Sequence, residues 1–530
     1  MGWDLAIGSL AEKLPNFNDD LLIGYRKRQI SNLPGYMDTV FNEATRLLNG
    51  QLVYKGHRLL SPERRVKSSC DNKLSKGKYN IQRSELSMYE YVFEFEGIPV
   101  ATQLFIPYLH DGILTVEDSD YYMLLDITER GIFRGSDEVT IKVMRFPLQF
   151  WKNRIYQYTD TEGNGHSEII VTVKAFDKSR KNKTGTKVRT QVPLLLYLLA
   201  EFPFEQVCER LDIPVGAVQF TTSAADLDTY FYVALKNDIF LQVERSAMDS
   251  QDCRRFVAAL LSILEGMSKY TISSLMEAFR PRGSSQTVGA VCYLARLGYL
   301  LHPDMNREDD LAASHALNHL ESLRSFLDQY TKEKLKRIHV YCNDIFELFL
   351  QVYSNIDSWL IDYSPNDMMR KCIAGADVIM ANVVQDVFTK IYKATSQKNN
   401  KPLKIENIRQ MLRAKPMQPA KLNKVVNMRG ANDLYNDNDL IGILSKKIRQ
   451  TNSQEGPGKS ESINLLTAKE HQFHPSFLAV ESCLAISSSQ PGSTGRINPF
   501  AVIDDLGCFH SKQMAWYKLI EDLNKYLAQG

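Results

Sequence analysis

From Asp38 to Leu48 the apolar positions recur at helical spacing, behind a turn signal at Asn32 to Gly35. The first 60 residues therefore read as helical. From Tyr89 to Trp151 the period changes. Tyr91-Val92-Phe93-Glu94-Phe95 and Val139-Thr140-Ile141-Lys142-Val143 alternate with a period of two, as half-buried strands do. Glu168 to Phe176 is a further strand, rich in Ile and Val. The next stretch, Lys178 to Arg189, is rich in basic residues around Asn182 and Gly185. It reads either as a solvated hairpin loop or as an edge that contacts phosphates. Residues 192–400 read as mostly helical. Val192 to Phe202 predicts a buried helix, and Phe256 to Met267, Glu333 to Tyr353 and Ala374 to Tyr392 predict long amphipathic ones. Arg280 to Gln286 and Thr395 to Pro402 are polar breaks.

Charge sharpens this picture more than composition does. The 530 residues carry 64 basic and 62 acidic side chains, a net charge of +2, with 44% hydrophobic and 24% charged residues. That balance excludes a disordered chain, a collagen-like repeat and a bulk polycation. Yet residues 401–450 hold eleven basic and four acidic residues, a local balance of +7, so the remainder is net acidic. Thr451 to Ser462 reads as an exposed loop around Gly456-Pro457-Gly458. The longest apolar stretch, Val192 to Ala200, is far shorter than the roughly 20 residues a bilayer span needs. No basic, then apolar leader opens the chain. These features predict a soluble, intracellular protein. The eight cysteines form no C-x-x-C pair and read as small buried hydrophobes.

Motifs that resemble chemistry fail on inspection. Gly458-Lys459-Ser460 ends like a phosphate-binding loop, but Ser453 occupies the place of its first glycine, and no buried strand precedes it. Asp433, Asp437 and Asp439 lack the glycine and distal glutamate of an EF-hand, and Asp439 reads as a helix cap. There is no H-E-x-x-H and no G-x-S-x-G.

The last hundred residues carry a more specific pattern. In order they hold Asn423 to Asn427, Leu444-Ser445-Lys446-Lys447-Ile448-Arg449, Gly456-Pro457-Gly458 and His474-Pro475-Ser476. Pro491-Gly492-Ser493-Thr494-Gly495-Arg496-Ile497-Asn498-Pro499-Phe500-Ala501-Val502 follows, then Gly507 and Phe509. This order and spacing resembles the fork region of the β subunit of multisubunit RNA polymerases. That family has an L-S-H-x-R-R element, a G-P-G loop, an H-P-[ST] step, a T-P-E-G turn and a G-L-I-N-S-L-A strand. Upstream, Leu60 to Arg64 is similar to the family's T-P-E-E-A-R segment, and Gly97 to Val100 to its G-x-x-P-I-M strand. Val188 to Leu199 is similar to a strand-and-helix segment of the lobe. Arg370 to Gly375 is similar to the start of the N-K-R-x-x-x-x-G helix. Two departures stand out: Lys447-Ile448-Arg449 replaces the arginine pair, and Ser489-Gln490-Pro491-Gly492 replaces T-P-E-G. The chain reaches only the middle of a cellular β subunit, as in the split β subunits of large bacteriophages.

The resemblance implies an α+β multidomain fold, with mixed helix/sheet protrusion and lobe pincer domains followed by the fork. It places the first part of the protrusion at 1–150, the lobe at 151–350, the returning protrusion at 351–425, and the fork with the start of the hybrid-binding region at 426–530. It implies the N-terminal β-like subunit of a phage multisubunit DNA-dependent RNA polymerase, holding DNA and the RNA–DNA hybrid near the active centre. The catalytic Mg²⁺ would sit on a D-x-D-G-D motif of a β′-like partner, a motif this sequence lacks, so the chain would bind no cofactor and be inactive by itself. Its partners would be a C-terminal β-like chain, β′-like chains, the DNA template and the RNA transcript, with no membrane. Its place would be the cytoplasm of an infected bacterium, or the virion.

Lys446, Lys447 and Arg449, read as lying on one or two helical turns, would present cations to phosphates, with Lys459, Lys469 and Arg496 as further contacts. Gly456, Pro457 and Gly458 would form the fork loop. His474, Pro475 and Asn498 would pack or hydrogen-bond within the fork. The altered turn from Ser487 to Gly492, beside the family's rifamycin pocket, implies resistance to rifampicin. The alternatives are a phage structural or DNA-packaging protein that uses residues 401–450 as a clamp, and a stand-alone nucleotidyltransferase.

Overall fold

The structure is a computed structural model. It describes most of residues 34–67, 88–265, 291–374 and 404–412, and short stretches between 449 and 509. The chain is an α+β protein of two compact units. Unit 1 comprises Met1–Gly131, Asp328–Ile338 and Ser364–Gly530, and unit 2 comprises Ile132–Leu327 and His339–Tyr363.

Unit 1 opens with helix α1 (residues 37–46), which buries Met37, Val40, Phe41 and Ala44. Pro34 and Gly35 are already helical, where the sequence predicts a turn. Proline has no N–H to lose in a first turn and its φ suits a helix. The first 60 residues are not all helical either. β1 (Leu52–Leu59) is a strand, and it buries Leu52 and Tyr54 while exposing Val53 and Lys55. It pairs antiparallel with β2 (Met88–Phe95), which pairs antiparallel with β3 (Ile98–Phe105). The β2–β3 hairpin turns at Glu96 and Gly97, with φ of 49° and 81°. Positive φ at both central residues gives the turn whose twist matches its strands. The Phe41 ring lies 5.0 to 5.6 Å from those of Tyr54, Tyr91 and Phe93, pinning α1 to the sheet. A small sheet of β4 (Tyr108–His110), β5 (Ile113–Val116) and β6 (Ser119–Tyr122) follows, then β7 (Leu125–Glu129).

Unit 2 begins with β8 (Ile132–Arg134), β9 (Glu138–Lys142), β10 (Pro147–Thr159) and β11 (Gly165–Lys174). After a separate two-stranded hairpin of β12 (Arg180–Lys181) and β13 (Lys187–Val188), β14 (Gln191–Pro193) completes a five-stranded antiparallel sheet, ordered β14-β11-β10-β9-β8. Helix α2 (Leu194–Glu201) has every residue buried. A helix apolar on all sides has no face to offer water, so it becomes core. α3 (Phe204–Arg210) leads to a sheet in a region that the sequence predicts as helical: β15 (Val218–Thr221), β16 (Tyr230–Ala234) and β17 (Phe240–Glu244), ordered β15-β17-β16. These strands have only four or five residues each and lie between longer segments of helical pattern, which the reading extends across them.

Helix α4 (Gln251–Leu264) packs on this unit's core, and α5 (Val291–Leu301) crosses α6 (Asp309–Arg324) at Gly298. A Cβ there would lie 2.1 Å from the carbonyl oxygen of Ala312, so only glycine permits the crossing. The single helix predicted from Glu333 to Tyr353 is two: α7 (Gln329–Lys336), in unit 1, and α8 (Ile345–Ile361), in unit 2. His339 adopts φ 62° in the break, and the Asp344 carboxylate accepts the N–H groups of Phe346 and Glu347, starting α8 afresh. On α8, Asp357 accepts hydrogen bonds from Lys152 of β10 and from Arg255 of α4, a guanidinium only 1% exposed. Burial alone would raise the Asp357 carboxyl, but the two cations outweigh it and hold it below its usual range. Of the six described cysteines five are buried. Burial pushes the Cys208 thiol up to about 12 and Cys253 to about 11, which leaves both inert near neutrality.

The chain then returns to unit 1 through β18 (Lys371–Ala374), α9 (Ile405–Leu412), β19 (Arg449–Thr451) and β20 (Thr494–Arg496). Residues 371–374 are thus a strand, not the helix start that the resemblance implies. Their sequence is short and β-compatible, and pairing with β7 decides the matter.

Candidate nucleic-acid interface

Four segments far apart in sequence form one sheet, ordered β18-β7-β19-β20. β7 is the organiser. It pairs antiparallel with β18, placing Ile127 opposite Ile373, and parallel with β19, placing Leu125 opposite Gln450. β19 in turn pairs antiparallel with β20, and its register sets Arg449 directly opposite Arg496. A core of Ile127, Met368, Ile373, Val480, Ile497, Ala501, Ile503 and Phe509 holds these segments together.

The backbone ties between them are specific. The Met368 N–H donates to the Ser476 hydroxyl at 2.8 Å, and the Ile373 N–H to the Gly507 carbonyl at 2.8 Å. The Asn498 N–H donates to the Val480 carbonyl at 2.6 Å, and the Asn498 carbonyl accepts from Ala501 at 2.9 Å. At residues 504–508 the Asp504 carboxylate accepts the Cys508 N–H at 2.8 Å, and Gly507 takes φ 81°, closing a tight turn. Arg337, just past α7, lies 3.4 Å from the same carboxylate.

Two sequence-predicted residues are therefore brought together, and their setting is corrected. Arg449 lies on a strand, not on a helical turn. Arg496 ends β20, and the strand stops there rather than running through Asn498. Ile497 goes into the core, while Asn498 is half-buried, with its backbone bonded inside the unit. Lys446, Lys447, Gly456, Pro457, Gly458, Lys459, Lys469, His474 and Pro475 lie outside the described residues. So do the loops at 280–286 and 395–402, Asp439, and the predicted helix from Ala374 to Tyr392 apart from Ala374 itself, which ends the strand β18. Sequence reasoning missed β7 and the role of Asp504. Ser476 was legible as part of the His-Pro-Ser step, though its partner was not.

Among the described residues no group of three or more His, Cys, Asp and Glu side chains stands ready to hold a metal, and no helix is long and apolar enough to cross a membrane.

The family model described as "non-virion RNA polymerase subunit" matches residues 7–515. The chain belongs to that family. No curated protein matches it significantly. As a non-virion RNA polymerase subunit, it serves transcription within a phage multisubunit polymerase, with other polymerase subunits as partners. The non-virion class acts in the host cell, so membership lends no support to packaging in the virion or to a structural, DNA-packaging role.

Proposed function

We propose that this non-virion RNA polymerase subunit is the N-terminal, β-like part of a split β subunit, and that it holds DNA and the RNA–DNA hybrid near the active centre. One observation carries the reading. The strands Arg449–Thr451 and Thr494–Arg496, from the segment that resembles the polymerase fork, pair with each other and set Arg449 opposite Arg496. A discontinuous unit 1, interrupted by unit 2, supports the division into a protrusion and a lobe. On this reading Arg449 and Arg496, with Lys446, Lys447, Lys459 and Lys469, bear on phosphates and fix the position of the nucleic acid without reading its sequence. The catalytic Mg²⁺ belongs to a β′-like partner, because this sequence has no D-x-D-G-D motif.

Two measurements test this. Co-purification from infected cells with mass spectrometry should recover a C-terminal β-like chain and β′-like chains. Recovery of polymerase chains without a separate β-like one would defeat the split-β reading. In the assembled enzyme, alanine at Lys446, Lys447 and Arg449 together should weaken template binding. It should also flatten the salt dependence of binding, by up to about 0.9 for each phosphate no longer neutralised. An unchanged salt slope would defeat the phosphate role.

A further inference from the structure

The turn at residues 503–509 carries a pairing that the candidate interface does not use. Its two arms meet in the Ile503–Phe509 bridge, and the Asp504 N–H donates to the Cys508 carbonyl at 3.0 Å. Its second arm joins β18, the end strand of the four-stranded sheet, through a bridge that sets Cys508 directly opposite Cys372.

A neighbouring hydrogen bond fixes the type of this bridge. The Ile373 N–H, one residue after Cys372, donates to the Gly507 carbonyl, one residue before Cys508. That pattern belongs to a non-hydrogen-bonded antiparallel pair, whose Cα atoms lie about 4.5 Å apart and whose side chains share one face. A disulfide needs Cα atoms roughly 4.4–6.8 Å apart, so the backbone already stands where a bridge would hold it. Both residues are buried, and both are free thiols.

Packing alone accounts for a small apolar residue at either position, but it does not call for sulfur at both. With eight cysteines among 530 residues, composition rarely sets one opposite another. Cys208, Cys253 and Cys292 lie on helices, and Cys342 lies between α7 and α8, so none of these faces another across a strand pair. The reducing interior of a cell keeps thiols free, and cytosolic disulfides are mostly transient and redox-sensing. Burial shields the pair in the closed state, while a short turn on an end strand opens locally at low cost.

We propose that Cys372 and Cys508 are a redox-responsive modification site, which closes to a disulfide when a small disulfide oxidant accumulates and so fastens the 503–509 turn to β18. One thiol loses its proton, and the thiolate attacks a sulfur of glutathione disulfide, releasing one glutathione thiolate. The second cysteine thiolate attacks the first cysteine's sulfur in the mixed disulfide and releases the other glutathione. Two protein thiols are oxidised by two electrons, one glutathione disulfide is reduced, and the two protons end on the released thiolates. The link joins residues more than 130 apart in the chain, so it constrains the unfolded state strongly. It needs neither the β-like assignment nor the phosphate contacts.

The test uses the assembled polymerase, equilibrated in native buffer with glutathione disulfide and glutathione at stepped ratios. Free thiols are then blocked with N-ethylmaleimide under denaturing conditions, and the protein is digested without reductant for mass spectrometry. One cross-linked peptide pair, holding Cys372 and Cys508, should grow as the ratio rises and vanish with dithiothreitol. In the linked form the Ile373 amide should exchange hydrogen slower by about tenfold or more. Cys508→Ser should show neither the link nor the slowing. Four results would each overturn the proposal: both thiols still free at the highest ratio, glutathione adducts without a link, links spread equally over other cysteines, or a link formed only when oxidation is done in unfolding urea. Should Cys508→Ser not assemble, the peptide map of the unaltered enzyme decides alone. Template binding is measured on the reduced enzyme, so a pair that stays open leaves the proposed polymerase role untouched.

Discussion

The five-stranded sheet of unit 2 and the four-stranded sheet of unit 1 are built in opposite ways. In the first, β8, β9, β10 and β11 are neighbours in space because they are neighbours in sequence, joined by short turns. In the second, β7 at residues 125–129 pairs with strands at 371–374 and 449–451, and the last of these pairs with 494–496. The local sheet is centred on two long strands, β10 of 13 residues and β11 of 10, backed by the wholly buried α2. The non-local sheet carries strands of three to five residues and depends on the core beneath it. The local sheet is a scaffold. The non-local sheet is where distant basic residues become neighbours.

The largest expected effect tests the scaffold. Asp357→Asn removes the anion that Arg255 and Lys152 share, and leaves the buried Arg255 with only the Asp252 carboxylate, 3.7 Å away. It should destabilise unit 2 by about 3–5 kcal/mol, read by urea unfolding. A loss of under about 1 kcal/mol would show the pair to be worth no more than a surface bridge. The pH dependence follows in sign. The folded carboxyl lies below its ordinary value, so its contribution is present above the unfolded value of about 3.9 and is lost as the pH falls through the folded one. An acid titration should show this loss in the native protein and not in the Asp357→Asn variant.

Next comes the non-local sheet. Ile127→Ala, at the centre of its core, should cost about 2–5 kcal/mol and lower template affinity in the assembled enzyme. Full affinity after such a loss would detach the sheet from the nucleic-acid role. Gly298→Ala returns to the scaffold. Forcing a methyl against the Ala312 carbonyl should cost about 1–3 kcal/mol, and should leave the salt slope of binding unchanged.

The smallest effect is the sharpest. Arg496→Gln, at the β20 position paired with Arg449, should leave the stability of unit 1 within about 0.5 kcal/mol while weakening template binding. Lost binding at unchanged stability marks a residue kept for its ligand. If both fall together, the arginine is structural.

Legibility in the sequence follows the same division. Tyr91 to Phe95, Val139 to Val143 and Glu168 to Phe176 are recognisable because alternation over five or more residues is a signal in itself. The buried run at 194–201 is recognisable for a similar reason, as continuous hydrophobicity. β1 is hidden although its first residues alternate, because the helical pattern before it extends too readily across it. The break between α7 and α8 is hidden because it rests on one left-handed histidine and one capping aspartate.

The candidate interface is legible as a set of basic residues, and not as a place. By itself the sequence determined which segments are apolar enough to be core, where the positive charge accumulates, and the family resemblance in the last hundred residues. Only the tertiary structure decided that Arg449 is on a strand, that it stands opposite Arg496, and that both are anchored through β7 more than 300 residues upstream of Arg449. The physical reason is length. A strand of three residues has no period to reveal it, and takes its conformation from the strands and core it joins.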